Sequence, residues 1–344
     1  MERLGCKLEK HTMIKNFDKY NNNKLIKDII NVKEIGGQRL YYTIRTNSRN
    51  KECIGIYING IVVYLILENG CIYLQPSNKQ LPIEKIANID MYKKNMKKII
   101  DECEQYQNNE NEMKEKVFQH NLIEDINDIK FFKKKYGKVT IIDEELFIFL
   151  TKYKKRENSK GRVDLVGVSE EGKLLFIEVK IDGSVILGKN GINKHCYDIG
   201  EYCKNAKYKK EDLNIWIKQL NDLFGRNIPY IKNDNPDFIL LCGYNIEAKY
   251  DVIDQISEII SKDMINNIKN FPDIVQVIEN DPSTIKTLAK HFDELKKNRP
   301  VLVLAEVKDN KVIKDFEVNR TRINYEDKPW HIIRTSLIRL TNGN

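Results

Sequence analysis

Two short apolar runs, residues 163–168 and 174–179, flank the polar stretch 169–173. Both are rich in Val, Ile, Leu and Phe and too short for ordinary helices, which predicts two strands. The stretch between them contains Gly172 and predicts a hairpin turn. The runs are almost continuously apolar, so the pair is expected to be buried on both faces. Upstream, apolar runs at 39–45, 53–58, 61–67 and 71–74 predict an antiparallel meander, with Asn59-Gly60 and Asn69-Gly70 as its turns. Helical spacing of apolar residues recurs over 83–107, and again over 113–131 at Val117, Phe118, Leu122, Ile123 and Ile126.

The polar stretch 107–112 between those helices marks a domain boundary. A β-rich N-terminal domain ending in a helix, 1–110, is expected before it, and a second domain, 111–344, after it. In that second domain a strand at 138–150 precedes the hairpin. A Gly-rich loop at 182–193 follows, with Asn193 as N-cap of a helix at 194–206. A helix at 211–224 and a strand at 238–241 come next. Helices near 252–268 and 284–297 and strands at 301–307 and 312–317 extend the domain. Residues 1–35 are polar and lysine-rich, with one short amphipathic candidate at 24–32. The fold class is therefore α/β (α+β), a central mixed sheet flanked by helices plus the N-terminal β-rich domain.

Composition narrows the class only slightly. The chain has 344 residues, 41% hydrophobic and 31% charged, with a formal net charge of +8. That mild basic excess suits a polyanionic partner, although an AT-rich coding sequence would produce the same abundance of Lys, Asn and Ile. Seven scattered cysteines, with no Cys-x-x-Cys pair, argue against a disulfide framework and against a zinc pattern. Reduced thiols and a cytoplasmic location are the expectation. The first fifteen residues are charged and lack the apolar core of a signal peptide, and no run reaches transmembrane length, so no membrane is expected as a partner.

The hairpin carries the chemistry. Centring its turn near Glu171 puts residues whose numbers sum to about 342 opposite one another, so Asp164 faces Glu178. Opposed side chains share a face with Cβ atoms roughly 5 Å apart, and alternation brings Lys180 to the same face. Two carboxylates and an ammonium then converge within an apolar hairpin. Opposed like charges are destabilising, and buried unpaired charge costs several kcal/mol. A divalent cation resolves the conflict. Carboxylate oxygens suit Mg²⁺, which keeps waters and accepts phosphate oxygens.

Asp164 followed by Glu178-Val179-Lys180 resembles the D…(D/E)-x-K signature of the PD-(D/E)XK nuclease superfamily, the restriction-endonuclease-like fold. The proline that names the motif is replaced by Val163, at a position that varies in that family. The resemblance covers the hairpin and, more loosely, residues 111–245, whose expected order of helix, three strands, helix and strand is that of the family core. It implies that Asp164, Glu178 and the backbone carbonyl of Val179 hold Mg²⁺, with Mn²⁺ able to substitute, and that Lys180 is the catalytic lysine. It also implies a glutamate from the preceding helix. Glu115 and Glu124 are the candidates, and Glu115 is preferred.

Other polar groups have plainer roles open to them. Glu306-Val307-Lys308 repeats the triplet, but no strand with a central Asp precedes it at hairpin distance, which leaves a strand end surfacing into solvent. Lys133–Lys135 with Lys138, and the cluster 152–156 with Lys160 and Arg162, bracket the strand 138–150. Beside a cleavage site they would neutralise phosphates; otherwise they are solvated loops. His195 and Asp198 share a helix face and could touch phosphate, although a surface pair is the commoner arrangement. Gln219 lies at loose spacing for a site-assisting glutamine. Glu144 and Glu145 are not assigned. The loop at 188–191 lacks the phosphate-loop pattern. Arg320, Arg322, Arg334 and Arg339, with Trp330, make a basic tail.

The expected activity is Mg²⁺-dependent hydrolysis of DNA phosphodiester bonds by an endonuclease of restriction or defence type, with a homodimer suited to double-strand cleavage. The alternatives are a repair nuclease, or a nucleic-acid-binding protein on a nuclease-like fold that needs a partner to cut. An accidental motif on an interaction protein is the third reading.

Overall fold

The pairing of β-strands places the motif near the middle of a six-stranded mixed sheet. The computed structural model describes residue 14 and residues 17–46, 51–58, 60–77, 81–106, 110–149, 160–181, 202–203, 210–244, 301–308 and 311–317. These form three sheets and six α-helices, a mixed α/β architecture consistent with α+β.

The N-terminal segment contributes α1 (Phe17–Asn21) and α2 (Lys24–Ile30), and β1 (Glu34–Ile35) pairs with β2 (Gln38–Arg39). Asn23 caps α2 by accepting from the Ile26 amide at 3.1 Å. The polar composition of this segment hides its role. Ile14, Tyr20, Ile26 and Ile29 are buried in the same core as the sheet that follows.

That sheet is an antiparallel meander of β3 (Tyr41–Thr46), β4 (Glu52–Ile58), β5 (Ile61–Glu68), β6 (Cys71–Pro76) and β7 (Glu84–Ile86). Asn69 and Gly70 both have positive φ, at 52° and 76°, as the two central residues of a tight hairpin require. Ile86, expected in a helix, instead ends the edge strand β7 opposite Ile72. The helix α3 begins later, at Ile89–Tyr106, where Asn88 accepts from the Met91 amide at 2.8 Å.

The second half opens with α4 (Glu110–Asp125), a short 3-10 turn over Ile126–Asp128, and α5 (Lys130–Tyr136). The single helix expected over 113–131 is thus broken in two. β8 (Val139–Phe149), β9 (Lys160–Ser169) and β10 (Lys173–Lys180) then run antiparallel in turn. Gly172, at φ 79°, closes the turn between β9 and β10, and a Cβ there would lie 2.3 Å from the Tyr230 carbonyl oxygen.

After α6 (Lys210–Phe224), β11 (Asn233–Tyr244) lies parallel to β10. β12 (Val301–Lys308) lies parallel to β11, and β13 (Lys311–Glu317) closes the edge antiparallel to β12. The order is β13-β12-β11-β10-β9-β8. Pro236 falls where the β10–β11 register slips, between Lys173–Asn233 and Leu175–Asp237. A residue without an N–H is tolerated at such an irregularity. The second triplet, Glu306 to Lys308, belongs to this inner strand β12, whose Glu306 stands opposite Lys314 of β13. The helices expected at 252–268 and 284–297 lie outside the described residues, as does 194–206 except for Tyr202 and Cys203.

One face of the six-stranded sheet shares its core with the N-terminal sheet. Val166, Val168, Leu174 and Phe176 belong to the same apolar cluster as Ile54, Val63 and Trp216. Leu175, Ile177 and Val179 belong to a second cluster with Phe118 and Phe132. A buried polar seam joins the two sheets where β8 bulges between Ile141 and Asp143. Thr43 donates to the Ile142 carbonyl at 2.7 Å, Tyr41 donates to that of Ile141, and Tyr57 donates to the Asp143 carboxylate at 2.8 Å. Arg45 donates to the Tyr57 hydroxyl, and Gly55 leaves the space its side chain fills.

Asp143 is fully buried, and burial pushes its carboxyl up to about 6 against the opposing pull of Arg45 and the Tyr57 hydroxyl. Its folded value therefore lies above the unfolded value of about 3.9. Between about pH 4 and 6 the folded chain holds a proton that the unfolded chain has released, so this group makes stability fall as pH rises through that window. Asp143→Asn should remove that contribution. The stability difference between variant and wild type, from denaturant midpoints, should widen in favour of the variant from pH 4 to pH 6 and stay constant above.

Candidate functional site

The ladder between β9 and β10 runs from Val168–Leu174 to Leu165–Ile177, each pair summing to 342. Beyond Leu165 and Ile177 the two strands take different partners. β9 stays with β8 as far as Lys160–Phe149, whereas β10 stays with β11 as far as Lys180–Cys242. Asp164 sits on one lip of this parting and Glu178 and Lys180 on the other.

The charged groups converge across it. The Lys180 Nζ lies 2.9 Å from Glu178 Oε1, 3.3 Å from Glu115 Oε1 and 3.9 Å from Asp164 Oδ2. Asp164 Oδ2 also accepts from the Val179 amide at 2.8 Å, a bond that ties the lips together. The Glu178 side chain is 1% exposed and that of Lys180 7%, against 15% for Asp164 and 22% for Glu115. The site is thus closed at the strand floor and opens toward Asp164 and Glu115. Burial alone would lower the Lys180 ammonium; Glu178, Asp164 and Glu115 outweigh it and hold the group well above the ordinary lysine range.

Helix α4 supplies the third carboxylate. Its Phe118 packs so closely on β11 that a Cβ at Gly243 would lie 3.0 Å from the ring. That contact sets Glu115, one turn earlier, over the end of β10. Glu124 is turned elsewhere and pairs with Arg39. Two further polar residues of α4 were not singled out from the sequence. Gln119 Nε2 donates to the Asp164 backbone carbonyl at 2.9 Å, and His120 Nδ1 lies 3.4 Å from Glu144 Oε1. Helical spacing from Glu115 was the signal available for Gln119.

Other expectations resolve differently. Gln219 clamps the Ile14 backbone, accepting at 3.0 Å and donating at 2.9 Å, and takes no part in the site. Lys133, Lys134, Lys135 and Lys138 are exposed, but Val139 pairs with Ser169, so they stand at the turn end of the hairpin. Asp164 is five strand positions away, about 17 Å. The cluster 152–156, His195, Asp198, the loop at 188–191 and the basic tail lie outside the described residues, and the side chain of Glu145 is likewise not described.

Among the described residues no group of three or more His, Cys, Asp or Glu side chains has the spacing of an assembled metal site. The place on which Glu115, Asp164 and Glu178 converge is taken by the Lys180 ammonium. The donors themselves are hard carboxylate oxygens, the set that Mg²⁺ and Mn²⁺ prefer over softer metals. Among the described residues no helix is long and apolar enough to cross a membrane. No family model matches the chain, and neither a curated protein nor a solved structure is significantly similar to it.

Proposed function

We propose that the chain is a Mg²⁺-dependent nuclease acting on DNA phosphodiester bonds, an endonuclease of restriction or defence type, with a core of the PD-(D/E)XK kind. The observation that carries this reading is the meeting of Asp164, Glu178, Glu115 and Lys180 at a parting of two strands. Structural ion pairs rarely gather three acids around one buried base, because desolvating each ion costs several kcal/mol. The sequence of helix, three antiparallel strands, helix and a strand parallel to the third supports the same reading.

Asp164 and Glu178 would hold the cation, with the Val179 carbonyl as a third ligand and Glu115 beside them; Mn²⁺ would substitute. The bound cation supplies Lewis acidity toward a phosphoryl oxygen and makes water a better nucleophile at neutral pH. The chain's own groups do the rest. Glu178, at the buried floor, fixes the position of Lys180. Lys180 offers its ammonium to an incoming phosphate and offsets the negative charge that grows in the transition state. Asp164 and Glu115, on the open side, confront substrate and solvent.

Supercoiled plasmid incubated with the purified chain should be cut with Mg²⁺ and remain intact with EDTA. Glu178→Gln, nearly isosteric and checked for folding by circular dichroism, should be inactive. Equal cutting by wild type and variant would trace the activity to a contaminant or another site. A folded wild type that cuts no DNA under any metal would favour a binding protein that needs a partner.

A further inference from the structure

We propose that Gln119 is a positioning residue that holds Asp164 in place for metal binding, an inference that rests on the nuclease reading above. The β9–β10 ladder ends at Leu165–Ile177, and Asp164 is the next residue of β9. Gln119 comes in from α4 and donates its side-chain amide to the Asp164 carbonyl at 2.9 Å. Its side chain is buried, the residue being 4% exposed. The helix thus holds the Asp164 carbonyl, while the Val179 amide of the opposite lip holds its carboxylate.

The helix is keyed to this point. Gln119 follows Glu115 by one turn, so the two share a face, one meeting Asp164 and the other Lys180. The next residue, His120, meets Glu144, and Glu144 is the β8 partner of Leu165, the residue beside Asp164. α4 therefore contacts all three strands at the parting and fixes its width. Losing the Gln119 amide removes one restraint on the Asp164 peptide, and a tilt there swings the carboxylate away from Glu178. Groups that orient metal-binding carboxylates change metal affinity by about ten- to a hundredfold when removed.

The test uses the full-length protein and Mn²⁺ alone, titrated calorimetrically without DNA, for wild type, Gln119→Leu and Asp164→Asn. Gln119→Leu should bind Mn²⁺ about ten- to a hundredfold more weakly. Cleavage by this variant should need correspondingly more Mg²⁺ and approach the wild-type rate once the metal saturates. A merely structural glutamine would lower the melting temperature and leave metal affinity untouched, and that result overturns the proposal. Gln119→Asn, whose amide is too short to reach the carbonyl, replaces the leucine variant if the latter does not fold, with the same expected loss. Wild-type affinity that depends on Asp164 but not on Gln119 refutes the positioning role and spares the nuclease reading. Absence of Mn²⁺ binding to wild type, or binding unchanged in Asp164→Asn, removes both.

Discussion

Asp164→Asn should lower the DNA cleavage rate by on the order of a thousandfold or more while leaving the protein folded. A Lewis-acidic cation contributes several kcal/mol to the transition state, and each 1.36 kcal/mol or so is a factor of ten in rate. The substitution keeps shape and one acceptor oxygen, so the Val179 amide can still be accepted at that position. What is lost is one negative charge on the open side of the site, where the side chain is 15% exposed. The measurement is single-turnover cleavage of a labelled duplex in saturating Mg²⁺, with a thermal melt as control. A variant that melts like wild type and cuts within tenfold of it would refute the assignment of Asp164 as a ligand.

Lys180→Met should destabilise the metal-free protein by about 3–5 kcal/mol, the usual cost of removing one partner from a buried ion pair. The ammonium sits 2.9 Å from a carboxylate that is 1% exposed, and it is the counterion of two more. Deleting it leaves three acids crowded together with one at the floor of the site. Because the folded lysine titrates above its unfolded value, the stability it contributes is fully present below about pH 10 and is lost only as pH rises beyond. The loss should therefore be flat across neutral pH. Divalent metal should restore stability to this variant more than to wild type, since it meets no competing cation. Denaturant melts of both proteins with and without Mg²⁺ measure this. A variant as stable as wild type without metal would mean that the acids are solvated or protonated, and the picture of a shared buried cluster would fail.

Much of this was legible because local rules act over short distances. The hairpin register followed from the turn, since Ser169 to Gly172 fixes which residues face one another. The Asn-Gly pairs announced the meander. Glu115 could be preferred to Glu124 but not located, because the phase of α4 is set by Phe118 against Gly243, a contact between residues far apart in the chain. Gln119 was missed for the same reason: an amide looks inert until a strand carbonyl arrives beside it. In the polar segment before residue 35 the amphipathic stretch 24–32 announced the buried Ile26 and Ile29 of α2, but nothing pointed to Ile14 and Tyr20, which join the same core as β5 and β6. In the sequence the lysines of α5 suited a phosphate grip and solvated loops equally, and pairing of Val139 with Ser169 carries them to the far end of the hairpin.

The parallel pairing of β10 with β11, and of β11 with β12, bears on when the site can exist. The hairpin of β9 and β10 closes a tight turn and can form within microseconds of its synthesis. The strand that flanks β10 arrives much later, since β11 begins at Asn233, and β12, which pairs with β11, begins at Val301. Such distant pairings are slow to find. A nascent chain paused before β11 would carry Asp164, Glu178 and Lys180 on a hairpin whose β10 has yet to gain its parallel neighbour. Assembly of the floor beneath these charged groups is thus deferred until β11 has been made, a delay written into the strand order itself.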